Sequence, residues 1–323
     1  MQMAANEART TVICAAKSFA PGDVWEFYIL SVVRERMYQQ SEITDVQVSI
    51  PLGLFYHAEH SILLLENPGT SSLHDVLQYQ MELRQTQASQ SNITPPNRAS
   101  RMLRFPRKER NRAALRIQLQ SGRSALQLCA LDELLVAFYS RAIMRAILAL
   151  HAVNVIHMDL KPDNILVRRG QNLESHSAIH LPLDELGGVI LIDFGKALDL
   201  QSFQKVAQPM STIHFRGNHG TLGFNSDSMR EQKAWLFDAD LYALGATLHT
   251  LLHGEYLPDA GAAHRTTRYW NRQLWDPIFN KLFAPQVLSS TESQRVLKEQ
   301  IRRLDEFLSA RRVRLVSLLR EHN

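Results

Sequence analysis

Residues 157–164 read His-Met-Asp-Leu-Lys-Pro-Asp-Asn, and residues 193–195 read Asp-Phe-Gly. The first stretch follows a long run with helical apolar spacing, LQLCALDELLVAFYSRAIMRAILALHA, over about 126–152. Two short apolar strands, NILV at 164–167 and VILI at 189–192, carry the chain from the first motif to the second. Phosphoryl transfer needs such a set: two acids, a lysine and an asparagine on adjoining loops. Asp159 would orient the attacking hydroxyl and accept its proton, and Lys161 would neutralise γ-phosphate charge. Asn164 and Asp193 would hold the Mg2+ ions that bridge the phosphates of ATP. Either motif alone is common, but the two in order, each beside a strand, are specific. A capping Asp, a loop Asn and a turn glycine account for the set poorly. His157 reads as a core residue packing near Phe194 rather than as a base, and the 13 histidines show no metal-ligand spacing.

Working outward, residues 9–17, RTTVICAAK, read as a strand ending in Lys17, the candidate partner of the α- and β-phosphates. Pro21-Gly22-Asp23 is a turn, with Asp23 placed to cap the helix WEFYILSVVRERM. That helix offers Lys17 two carboxylates, Glu26 and Glu35, and usual spacing favours Glu35. Further strands are expected at 46–57 and 61–66, the latter stopped by Asn67-Pro68-Gly69. Glu66 and Asn67, at the hinge end of that strand, complete the expected cofactor-binding set. A short helix at 72–83 precedes a Gln-, Ser- and Arg-containing stretch, 84–124, that reads as a flexible basic insert. A polar loop at 168–186 reads as a surface addition, and later helices are expected near 235–253, 271–283 and 292–320. GTLGF at 220–224 supplies Thr221, placed to hydrogen-bond Asp159 and Lys161, and Gly223, both assigned to substrate docking. DADLYALG supplies Asp240 and Gly245, the acid suited to tying down the loop of Asp159, though a helix-capping role fits it as well locally. A strand-rich part, 1–70, followed by a larger helical part, 71–323, is the pattern of a two-lobed α+β enzyme.

Composition narrows the classes further. At 323 residues with 45% hydrophobic residues, the chain is too long and too apolar for a disordered segment or a small disulfide scaffold. Two cysteines, Cys14 and Cys129, make no framework, so a reducing compartment is expected. No uninterrupted apolar run reaches about 18 residues, and the best, Ala142 to Ile156, is broken by Arg145 and His151. No membrane partner is therefore expected. The formal charge of +4 is uneven: residues 98–123 carry nine basic residues against Glu109, so everything else sums to −4. With Phe105 the sole stacking ring nearby, that insert is read as a solvated loop and nucleic-acid binding is not expected.

With these residues placed, the chain resembles the kinase domain of the Bub family of mitotic spindle-checkpoint serine/threonine kinases. The resemblance rests on VWEFYI at 24–29, GTLGF, DADLYALGATLHTLLHGEYL at 238–257, Trp275 in LWDPIF and a basic C-terminal helix. It implies a bilobal protein-kinase-like fold, ATP and Mg2+ as cofactors, and protein Ser/Thr as acceptor. It also implies checkpoint and kinetochore proteins as partners, and a nuclear, kinetochore-bound location in mitosis. It favours Glu26 over Glu35 as the partner of Lys17. Three departures qualify it. Met158 stands where kinases usually place the arginine before the catalytic Asp, which implies activity independent of activation-loop phosphorylation. Ser226-Asp227-Ser228 replaces Ala-Pro-Glu, so the usual buried carboxylate–arginine pair is not expected. No glycine precedes Gly22, so the Gly-rich loop and upstream partner-binding regions are expected to be missing, as in a truncated sequence. That last departure motivates an alternative: a pseudokinase-like scaffold whose fold serves protein binding.

Overall fold

Lys17 lies on a small antiparallel sheet in the computed structural model, which describes residues 14–19, 24–40, 47–57, 59–66, 71–91, 131–203, 213–257 and 270–322. Strand β1 (Cys14–Phe19) pairs with β3 (Ser61–Glu66), and β3 with β2 (Pro51–Tyr56), in the order β1-β3-β2 with Lys17 opposite Leu63. β3 alternates strictly: Ser61, Leu63 and Leu65 face inward, as the period of two requires. Helix α1 (Trp25–Gln39) buries Ile29, Leu30, Val33 and Met37 in the same core, one stripe at helical spacing. Its N-cap is Val24, which makes no side-chain bond; the expected cap, Asp23, lies outside the described residues, as do Asn67 and Cys129.

Helix α2 runs Leu73–Ser91, well past the expected end at 83 and into the stretch read as an insert. The apolar stripe of Leu73, Val76, Leu77 and Met81 ends before residue 84, and the Arg, Gln and Ala beyond it are helix formers that periodicity does not reveal. The rest of the insert, 92–124, lies outside the described residues. Helix α3 (Glu133–Ala152) is the core of the large lobe. Asp132 caps it, accepting from the Leu134 amide at 2.9 Å, and nearly every side chain is buried. By length and composition this helix could cross a membrane, but 83% of its apolar window is buried inside the protein, as befits a core helix.

After β4 (Val155–Ile156), a single 3-10 turn, Pro162–Asn164, delivers Asn164 to β5 (Ile165–Arg169). β5 pairs antiparallel with β6 (Gly187–Leu191), placing Ile165 opposite Leu191, and β4 pairs with β7 (Leu198–Asp199). The polar loop between β5 and β6 is no loose addition. It forms two 3-10 turns that bury Ala178, Leu183 and Leu186, and Arg320 holds it through the Leu173 and Ser175 carbonyls. Arg141 of α3 joins Asp184 of this loop to Asp305, and burial of that guanidinium makes the pairing obligatory.

A short helix α4 (Asp227–Arg230) precedes α5 (Asp238–His253) and α6 (Arg272–Leu282). The helix expected over 292–320 is two, α7 (Ser290–Ser309) and α8 (Arg312–Glu321). Gly245 lets α5 approach α6 closely: a Cβ there would sit 2.7 Å from the Phe283 ring. Trp275 is fully buried, its indole donating to Glu133 at 2.9 Å.

Candidate active site

The loop between β4 and β5 is built around a buried acid on another element. Asp240, fully buried on α5, accepts from the backbone amides of His157 (2.7 Å) and Met158 (2.9 Å) and contacts His151 Nε2 at 3.2 Å. Burial alone would raise its pKa, but His151 and His157 outweigh that and hold it below the carboxylate range. These bonds fix Met158 in the left-handed region, φ 68°, unusual for a side-chained residue. His157 is fully buried 4.7 Å, ring to ring, from Phe194. Its Nδ1 accepts from the Asp159 amide at 3.3 Å, and its Nε2 faces the Ile192 carbonyl at 3.2 Å. Burial lowers its pKa, so it packs as the neutral ring.

Asp159 is thereby aimed at a cluster of donors. Lys161 (3.1 Å) and Asn164 Nδ2 (3.2 Å) reach Oδ2, while Thr221 (2.6 Å) and Lys196 (3.1 Å) reach Oδ1. Burial works to raise the Asp159 pKa, but the bonds from Thr221, Lys196 and Lys161 prevail and hold it below the usual range. Thr221 opens a turn closed by Phe224 N to its carbonyl, 2.9 Å, and Gly223 occupies the third position at φ 89°. Gly223 thus shapes the turn, while Leu222 beside it is 76% exposed.

A second cluster forms on Lys17. Its ammonium donates to Glu26 (2.7 Å) and to Asp193 Oδ1 (2.7 Å), joining β1, α1 and the Asp-Phe-Gly turn. Burial would lower the Lys17 pKa; the bonds to Asp193 and Glu26 raise it instead. Glu26, 2% exposed, also accepts the Phe194 amide at 3.1 Å. Glu35, the choice from spacing, is exposed and reaches only toward Gln39 at 3.4 Å. A helix places residues nine apart half a turn from one another, so only one of the two acids can face β1. Glu66 is exposed at the end of β3 and sits opposite Cys14.

Other contacts carry no local sequence signal. Trp25 donates to the Ala197 carbonyl at 2.9 Å, Tyr28 to Asp199 at 3.1 Å, and Arg36 grips Asp199 with two bonds, 2.7 and 2.9 Å. These partners lie more than 160 residues apart, so spacing could not reveal them. Lys196 directly follows Asp-Phe-Gly in the sequence, and that adjacency is the signal that places it at the site. At the Ala-Pro-Glu position, Ser226 caps α4 by accepting the Met229 amide at 3.2 Å, and Asp227 meets Arg230 at the surface.

Oxygen ligands suit a hard divalent cation. Both bonds from Asn164 use Nδ2, leaving Oδ1, and the Asp193 carboxylate is 40% exposed beside Lys17. The residues present fit such an ion.

Two sheet-linked loops, a lysine–glutamate pair from strand to helix and an acid seated on α5 are the arrangement of a protein kinase. The chain belongs to that family: residues 113–309 match the protein kinase domain. Within it, the chain resembles the Bub-type mitotic checkpoint serine/threonine kinases. It is 30% identical over 212 residues to the mitotic checkpoint serine/threonine-protein kinase BUB1 of Arabidopsis thaliana, covering 58% of this chain and 39% of that protein. Against the spindle assembly checkpoint kinase bub1 of Schizosaccharomyces pombe it is 33% identical over 52% of this chain and 17% of the relative. Against BUB1 of Saccharomyces cerevisiae it is 25% identical over 83% of this chain and 23% of the relative. The matched region thus spans well under half of these proteins. The crystal structure of the BubR1 kinase domain shares the fold, with a TM-score of 0.66 and 20% identity over 96% of this chain and 76% of that one.

Proposed function

We propose that this chain is the catalytic domain of an ATP-dependent protein serine/threonine kinase of the mitotic spindle-assembly checkpoint, with Mg2+ as its metal. The observation that carries this reading is the double cluster: Lys161, Asn164 and Thr221 on Asp159, and Glu26 with Asp193 on Lys17. Asp159 orients the acceptor hydroxyl and takes its proton on a carboxylate kept ionised by its neighbours. Lys161 sets positive charge beside that carboxylate, where negative charge gathers in phosphoryl transfer. Lys17 is held by Glu26 for the α- and β-phosphates. Asn164 and Asp193 would hold the divalent ion, which when bound neutralises the phosphate charge.

Helix α1 is secured to the segment after Asp-Phe-Gly by side-chain bonds from Trp25, Tyr28 and Arg36. This supports activity that does not wait for activation-loop phosphorylation, as does Met158 in place of a phosphate-receiving arginine. Checkpoint and kinetochore proteins are the proposed substrates and partners, in the nucleus and at kinetochores during mitosis. Ligand binding to the native state tests the reading. Mg-ATP at millimolar concentration should raise the Tm of the full-length protein, and Asp193→Ala should abolish the shift. No shift in the unaltered protein would favour a scaffold that keeps the fold for protein binding.

A further inference from the structure

Asp159 has no room for a substrate in the arrangement described. An ionised carboxylate offers about four lone-pair positions, two on each oxygen. Here Oδ2 takes Lys161 at 3.1 Å and Asn164 at 3.2 Å, while Oδ1 takes Thr221 at 2.6 Å and Lys196 at 3.1 Å. A hydroxyl that is to give its proton to Asp159 must therefore displace one of the four. Asn164 is 6% exposed and also bonds the Asp159 backbone carbonyl at 2.9 Å. Thr221 makes the shortest contact and is fixed by its turn. Lys161 is 21% exposed and Lys196 is 46% exposed. An ion pair so open to water is the weakest of the set, because solvent readily replaces it.

We propose that Lys196 is a positioning residue that occupies the acceptor's place on Asp159 Oδ1 and yields it to the incoming serine or threonine hydroxyl. The ammonium keeps the carboxylate ionised and correctly turned while the site is empty, then swings to solvent as the hydroxyl arrives. Lys196 thereby competes with the protein substrate and not with the nucleotide, whose contacts belong to Lys17 and Asp193. The proposal rests on the kinase reading for its kinetic consequences, but the contact itself does not depend on catalysis.

The test pairs Lys196→Met, which keeps the length and loses the charge, with the full-length protein and an unstructured Ser/Thr peptide. The KM for peptide should fall about three- to tenfold, the range for one exposed charged hydrogen bond, with the KM for ATP unchanged. Lys196→Arg, which restores a charged donor, should restore the KM. An unchanged peptide KM, or a loss of kcat beyond about a hundredfold, would overturn the proposal, the latter by making the ammonium indispensable to the chemistry. Direct binding of the same peptide separates this failure from failure of the kinase reading. The peptide should bind more tightly to Lys196→Met even in a protein without turnover, and an unchanged affinity would overturn the proposal.

Discussion

The two acids of the site, Asp159 and Asp193, occupy opposite environments. Asp159 is 5% exposed, and its loop hangs from Asp240 through two backbone amides. Asp193 is 40% exposed and is met by the Lys17 ammonium. The difference matches the work proposed for each. A proton acceptor must be placed before its substrate arrives, since misplacement by even 1 Å is costly. A metal-holding acid must instead keep an oxygen open to water and exchange its partner when an ion comes. Buried hydrogen bonds deliver the first property and exposed ion pairs the second.

The sharpest way to break this contrast is Asp240→Ala. It leaves two amides and His151 without their buried acceptor and should lower the unfolding free energy by about 3–5 kcal/mol in urea denaturation. A loss under about 1 kcal/mol would mean that the loop is held by other means. Next in size is Glu26→Gln, which keeps the shape of the buried side chain, weakens its charged bond to Lys17 and should cut kcat/KM by about ten- to a hundredfold. Glu35→Ala on the same helix should leave kcat/KM within error. If the two variants behave alike, Lys17 does not depend on Glu26. The smallest effect is on pH. The depressed pKa of His157 means its stabilising contribution is complete above the ordinary value of about 6.5 and drains away as pH falls through the folded value. Stability should therefore begin to decline below about pH 6.5, by at most about 1.4 kcal/mol per pH unit for one proton. His157→Phe should flatten that part of the curve. Below about pH 4 the carboxylates Asp159, Asp199 and Asp240, all depressed, should add a second and steeper loss by the same sign.

The catalytic-loop half of this design was legible in the amino-acid order. Asp159, Lys161 and Asn164 fall within six residues, Asp-Phe-Gly follows a strand, and Asp240 stands at the start of an apolar helix, so short-range pattern sufficed. The exposed half was less legible. Whether Glu26 or Glu35 meets Lys17 depends on which face of α1 looks at β1, a tertiary fact that spacing pointed the wrong way. The clasp of Arg36 on Asp199 and the wedge of Arg141 between Asp184 and Asp305 join residues distant in the chain, and no local rule reaches them. Helix α2 outruns its periodicity for a different reason: past Met81 the sequence keeps helix formers but carries no stripe to find.

The left-handed backbone at Met158 bears on how this loop can be altered. Such a conformation costs about 1 kcal/mol or more for a residue with a side chain, and here the thioether is sunk in the apolar interior, only 5% exposed. Reinstating arginine at this position would not recover the commoner kinase design. It would ask a guanidinium to enter an oily socket shaped for methionine, and the entrance to the loop would have to open to let the charge escape.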